Sequence, residues 1–220
     1  MLIEDSKNLQ NLICILVEYN CMKKFIAISG NIGIGKSTLT KRLSESLGFK
    51  PYLESVIINP YLKDFYEDMR RFAFHSQMFF LSRRLIDHQQ LSLEKKSVVL
   101  DRTIYENAEV FARYLFERKF ISKRDWDVYN HLYKSVVRIL PPPDVVVYLK
   151  ASVSNLMQRI KNRGREYEQN ISEKYLHDLN VLYDEWAGNF HQSEVLVVNC
   201  DELDFKNREA DFEKLVGLLK

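Results

Sequence analysis

The residues best equipped for chemistry lie in Phe25–Thr40, FIAISGNIGIGKSTLT, where an apolar run opens into a glycine-rich loop closed by Gly35-Lys36-Ser37. The loop fits G-x-x-x-x-G-K-[ST], a pattern in which successive backbone N–H groups curl around phosphate oxygens. Gly30, Asn31, Ile32, Gly33, Ile34, Gly35, Lys36, Ser37 and Thr38 would then cradle a nucleoside triphosphate. Lys36 would reach the terminal phosphates and the Ser37 hydroxyl would sit on magnesium. An ordinary glycine-rich turn is the bland alternative. It leaves the strand-like run before the loop and the helix-like run after it unexplained.

Phosphoryl transfer needs a metal, positive charge on the moving group and an acceptor for the nucleophile's proton. Asp101 follows the apolar run Val98–Leu100, where a carboxylate can hold magnesium; capping the next helix is its other use. Arg102 beside it can contact phosphate or orient a carboxylate. Glu54 ends the short run Tyr52-Leu53-Glu54, and a carboxylate there can take a proton from a substrate hydroxyl. Gln77 and Arg84 are seven apart, two helical turns, and so share a face. Either they read a polar ligand such as a nucleobase or they form a solvated helix edge. Tyr66 joins that face if the helix runs unbroken. Arg159, Arg163 and Arg165 surround Gly164. They are either a basic turn in water or a hinged set that closes over a phosphate.

These residues need a scaffold that brings them to one edge. Five apolar runs read as strands: Phe25–Ile28, Lys50–Glu54, Ser97–Leu100, Asp144–Leu149 and Glu194–Asn199. Helical patterns fall between them, at Thr38–Leu47, Thr103–Arg118, Lys123–Ile139, Ser152–Asn162, Ser172–Phe190 and Asn207–Leu219. Gly48 is placed to stop the first of these. From Tyr61 to Leu140 there is neither glycine nor proline, which predicts mostly long helices. Strands alternating with helices imply an α/β fold, a parallel sheet of about five strands flanked by helices, with ligands at the strands' carboxyl ends.

The chain's 220 residues suit one domain, and 46% hydrophobic residues supply a core. A net charge of +2 gives no global field for nucleic acid or an anionic membrane. No run approaches a membrane span. Three cysteines, Cys14, Cys21 and Cys200, show neither disulfide-framework nor metal spacing, which fits a reducing compartment such as the cytoplasm. The five histidines lack metal spacing as well. Residues 1–21 are expected to be an extension, with the domain occupying 22–220.

Four motifs then occur in order: GNIGIGKST at 30–38, Glu54 followed by Asn59-Pro60-Tyr61, Asp101-Arg102-Thr103, and Arg163-Gly164-Arg165-Glu166-Tyr167-Glu168. Together they resemble the deoxynucleoside kinases, from about Lys23 to the C-terminus. The resemblance implies a P-loop NTPase-type sheet and transfer of the γ-phosphoryl group of ATP to a deoxynucleoside 5′-hydroxyl. Glu54 would be the general base, Asp101 the magnesium ligand and Arg102 the residue that orients the reacting end. Gln77 would pair with the base, helped by Arg84, and Tyr66 with Glu168 would hold the sugar 3′-hydroxyl. Arg159, Arg163 and Arg165 would be lid arginines. The resemblance also implies a homodimer packed through long helices and inhibition by an end-product triphosphate.

Two positions depart from the family pattern. Asp101 stands where many relatives have Glu, and Asn107 where some have an Asp that partners the base-contacting arginine; Asn107 can still accept a bond from Arg84. The compact chain and its NPYLKDFY stretch most resemble bacterial purine-selective members, which implies deoxyadenosine or deoxyguanosine as the substrate. A thymidylate kinase-like enzyme would share the loop and Asp-Arg but has no need of Glu54. A non-catalytic nucleotide-binding module would have no need of the arginines.

Overall fold

Phe25–Gly30 (β1) is buried at every position, as a strand covered on both faces must be. In the computed structural model, which describes residues 23–54 and 59–219, it is the middle strand of a five-stranded parallel sheet. The order is β2-β3-β1-β4-β5, with β2 at Lys50–Tyr52, β3 at Val98–Asp101, β4 at Val145–Lys150 and β5 at Glu194–Asn199. The expected extension at 1–21 lies outside the described residues.

Register places the chemistry. Ile28 of β1 is level with Asp101 of β3, and Gly30 with Leu149 of β4, so the loop and the Asp-Arg pair leave the sheet at the same edge. β2 is shorter than expected and stops at Tyr52. As an exposed edge strand carrying Pro51 it lacks a second neighbour, and Glu54 sits in the connection beyond it.

The helices begin with α1 (Lys36–Leu47), whose Leu39 and Leu43 are fully buried and which Gly48 ends in the left-handed region. The glycine-free region holds α2 (Leu62–Glu67) and α3 (Met69–Ser92). They are separate helices, so the expected single face from Tyr66 to Gln77 does not exist. Asp68 leaves helical geometry at φ −140 and its carboxylate accepts from Arg71 N at 3.1 Å, ending one helix while capping the next.

After β3 come α4 (Ile104–Glu106), a π-helical stretch (Asn107–Ala112) and α5 (Arg113–Glu117), end to end. A π segment shifts every following side chain around the axis and often marks a site. Next are α6 (Lys123–Val137), α7 (Val153–Arg163) and a 3-10 turn at Glu166–Glu168. The chain finishes with α8 (Glu173–Asn189), β5 and α9 (Glu209–Gly217).

Candidate active site

The loop between β1 and α1 needs glycine for space as much as for backbone freedom. A Cβ on Gly30, at φ +141, would lie 2.6 Å from the Leu149 carbonyl oxygen, and one on Gly33, at φ +83, would lie 2.7 Å from Ile160 Cγ1. Lys36 opens α1 with its ammonium buried, donating to the carbonyls of Gly30 and Asn31 at 3.0 Å each. Burial, aided by the nearby Arg102 charge, lowers its pKa to about 8, against the pull of Asp101, Glu54 and Glu106.

Ser37 Oγ donates to Asp101 Oδ2 at 2.5 Å, joining the loop to the end of β3. Asp101 is fully buried, and its Oδ1 has no hydrogen-bond partner. Burial and the charge of Glu54 raise its carboxyl pKa. A hydroxyl and a carboxylate with one orphaned oxygen are hard donors that fit a magnesium ion. Among the described residues no cluster of three or more His, Cys, Asp or Glu is set to hold a metal, so such an ion would need phosphate oxygens as further ligands.

Glu54 faces this pair. Its Oε1 is bound by Arg84 and lies 3.3 Å from Arg102 Nε. Burial alone would raise its pKa, but the charges of Arg102, Arg84 and Lys36 outweigh it and hold the carboxylate at about 2. Arg102 adopts φ 70, left-handed backbone that a bulky residue avoids unless its surroundings impose it. What imposes it is a ring face and a carboxylate: the guanidinium lies 4.3 Å over Phe111, beside Glu54 and the Tyr183 hydroxyl.

Glu106 belongs to the same cluster, although the sequence reading did not single it out. Completely buried, it accepts from Gly30 N at 3.3 Å and Thr103 N at 3.0 Å. The signal was present, since Thr103-Ile104-Tyr105-Glu106 is a capping box and both of its reciprocal bonds form. Tyr183 and Phe205 were also missed. Both come from distant segments and carry no local pattern that could reveal them.

At the far end of the cleft, Gln77 and Asn107 meet: Asn107 Nδ2 donates to Gln77 Oε1 at 3.5 Å and to Tyr129 OH at 3.2 Å. Arg84 does not join them. Its guanidinium goes to Glu54 and to the Asp101 carbonyl at 3.2 Å, so the expected Arg84–Asn107 bond is absent. The ionised Glu54 is a stronger partner for a buried guanidinium than a neutral amide.

Asn31 also differs from expectation. Its side chain turns away from the cleft and donates to the Leu176 carbonyl and to Asn180 Oδ1, both at 2.9 Å, tying the loop to α8. Arg159 donates to the carbonyls of Ile34 and Cys200, at 3.0 and 3.1 Å. Arg163 and Arg165 both bind Glu168, one on each carboxylate oxygen. Glu168 is therefore held by arginines, while Tyr66 stacks on the neighbouring Tyr167 at 6.1 Å. Burial and the Glu168 charge raise the Tyr66 hydroxyl's pKa.

One cleft of about 600 Å³ joins these parts. Its lining includes Ile32, Ser37, Thr38, the three arginines and Phe205 together with Glu54, Tyr66, Gln77, Arg102, Asn107 and Glu168. Such a cleft can hold a triphosphate at the loop with a second polar molecule ending at Glu54.

The comparisons agree with this geometry. The family model described as deoxynucleoside kinase matches residues 26–220. A deoxyadenosine/deoxycytidine kinase of Bacillus subtilis (strain 168) is 37% identical over 87% of this chain and 89% of its own length. A deoxyadenosine kinase of Dictyostelium discoideum is 38% identical over 89% of this chain and 77% of its own. Among solved structures, deoxyadenosine kinase from M. mycoides with bound dATP superposes with a TM-score of 0.78 at 31% identity, covering 89% of this chain and 98% of the other.

Proposed function

The chain belongs to the deoxynucleoside kinase family and is an ATP-dependent phosphotransferase; on that premise we propose how its own residues act and which nucleosides it takes. The acceptor is a purine deoxynucleoside, deoxyadenosine or deoxyguanosine, phosphorylated on its 5′-hydroxyl. The observation that carries this reading is Glu54, a carboxylate lining the cleft and kept ionised by Arg84 and Arg102.

Glu54 accepts the hydrogen bond of the 5′-hydroxyl and then its proton. A carboxylate held at about 2 is a weak base. It suffices because a loose, metaphosphate-like transition state removes the proton late. Lys36, the loop's N–H groups and the N-terminus of α1 hold the donor phosphates. Ser37 and Asp101 would hold a magnesium ion, which would offset the charge of the donor phosphates. Arg163 and Arg165 leave Glu168 for the donor phosphates as the lid closes, with Arg159 already against the loop. Tyr66 and Glu168 take the sugar 3′-hydroxyl, and Gln77 and Asn107 the base.

We further propose a homodimer in the cytoplasm. Exposed Val128 and Leu132, one turn apart on α6, offer apolar surface of the kind that packing through long helices would cover, and the buried free thiol of Cys200 suits a reducing compartment. No described helix is long and apolar enough to cross a membrane. The deciding experiment is a panel of the four deoxynucleosides and dTMP with ATP and magnesium. Formation of purine deoxynucleoside monophosphates is expected. Phosphorylation of dTMP and of no nucleoside would overturn the proposal.

A further inference from the structure

Glu106 and Tyr183 are fully buried beside the cleft, yet neither lines it. The Glu106 carboxylate meets a donor at each oxygen: Oε2 takes the Gly30 N–H at 3.3 Å and Oε1 the Thr103 N–H at 3.0 Å. Gly30 opens the phosphate loop and Thr103 directly follows Asp101-Arg102, so one side chain ties the loop to that turn. Ser29, completely buried, adds a hydroxyl beside it, and the Tyr183 hydroxyl is its next neighbour. Tyr183 accepts from Arg102 Nη1 at 3.4 Å and has one hydrogen left to give, for which Glu106 is the acceptor. Arg102 therefore answers to two carboxylates, Glu54 directly at Nε and Glu106 at Nη1 through the Tyr183 hydroxyl.

Surroundings made of donors call for a group that only accepts, which an ionised carboxylate is and an amide is not. Burial raises the Glu106 pKa, against the pull of Arg102 and Lys36. The two carboxylates differ in what turnover does to them. Glu54 lines the cleft and, as the base, becomes neutral when it takes the 5′-hydroxyl proton. Arg102 then loses its direct partner while standing in left-handed backbone at φ 70, a conformation that persists only where its surroundings hold it. Glu106 meets no reacting hydroxyl and keeps its charge through the step.

We propose that Glu106 is a positioning residue for phosphoryl transfer: through Tyr183 and the Thr103 N–H it keeps Arg102 in place while Glu54 is protonated. The inference rests on the deoxynucleoside kinase reading and on Arg102 acting at the reacting end.

The test is a double-mutant cycle on kcat for the preferred purine deoxynucleoside with ATP and magnesium. Glu106→Gln keeps the side chain's shape but turns an amide N–H toward a donor, and kcat is expected to fall about 10- to 100-fold, the size of one charge-assisted bond. KM for the nucleoside should change less than about threefold, because the interaction lost is not with substrate. In an Arg102→Lys background the same substitution should cost less than about threefold, since the guanidinium it acts through is already gone. Equal falls in both backgrounds, or a native kcat in Glu106→Gln, overturn the inference and leave the kinase reading intact. Tyr183→Phe removes only the connecting hydroxyl and decides the matter if Glu106→Gln does not fold. A fall of about three- to tenfold that vanishes beside Arg102→Lys is expected, and an unchanged kcat overturns the proposal. A native enzyme that phosphorylates dTMP and no deoxynucleoside overturns the kinase reading itself.

Discussion

Replacing Glu54 by Gln removes one charge from a buried cluster and leaves its shape nearly unchanged. The carboxylate is held by Arg84 and by Arg102 Nε at 3.3 Å, with Lys36 contributing to its low pKa. A neutral amide cannot accept the 5′-hydroxyl proton. The loss of a positioned base costs about 10³-fold in kcat, or about 4 kcal/mol of activation free energy. Arg84 and Arg102 also lose their ionised partner, so the fold should weaken by about 3 kcal/mol. The Lys36 bonds to Gly30 and Asn31 do not involve Glu54, so ATP affinity should stay within about threefold by titration calorimetry. Steady-state phosphorylation of deoxyadenosine measures the rest. In the native enzyme Glu54 remains ionised well below neutrality, so it contributes no fall in kcat between pH 7 and pH 5. A Gln variant within about tenfold of native kcat, binding ATP normally, would refute the assignment of Glu54 as base.

Three further outcomes follow from the geometry. His88 donates from Nε2 to the Pro141 carbonyl at 2.9 Å while its buried Nδ1 lacks a partner, and burial lowers its pKa to about 4. The unfolded chain therefore takes up this proton first: the stability His88 contributes is complete above about pH 6.5 and declines by about 3 kcal/mol as pH falls to 4, as urea unfolding at stepped pH would record. Asn31→Ala should cost about 1–3 kcal/mol by removing its bonds to Leu176 and Asn180 yet change KM for ATP less than about threefold; a large rise in KM would return Asn31 to the nucleotide. Gly30→Ala should lose about 3 kcal/mol and ATP binding together, because its Cβ would meet the Leu149 carbonyl oxygen at 2.6 Å; unchanged melting and binding would contradict that clash.

Where the sequence reading and the structure diverge, the cause is competition between partners. Counting turns brings Tyr66 to the face of Gln77 only if the helix runs unbroken, and Asp68 breaks it by leaving helical geometry and capping the second helix. The spacing of Gln77 and Arg84 does put both on α3, yet Glu54, from a connection 30 residues away, captures the guanidinium. Asn31 sits in a phosphate-loop pattern, and only α8, 145 residues on, shows what its amide binds. Glu106 was legible as a capping box, but its bond to the Gly30 N–H was not.

By itself, the sequence determined what is local and periodic. A strand buried on both faces requires an unbroken apolar run, and a loop that wraps phosphate requires glycines followed by Lys-Ser. Those demands act within a few residues, so they appear as spacing, and the α/β class and the phosphate loop follow from them. Tertiary structure decided how the charges are shared. Three buried cations, Lys36, Arg84 and Arg102, stand among three buried or nearly buried carboxylates, Glu54, Asp101 and Glu106. In a low-dielectric interior each guanidinium or ammonium goes to whichever carboxylate the sheet register brings within reach, and that choice depends on distances no spacing encodes.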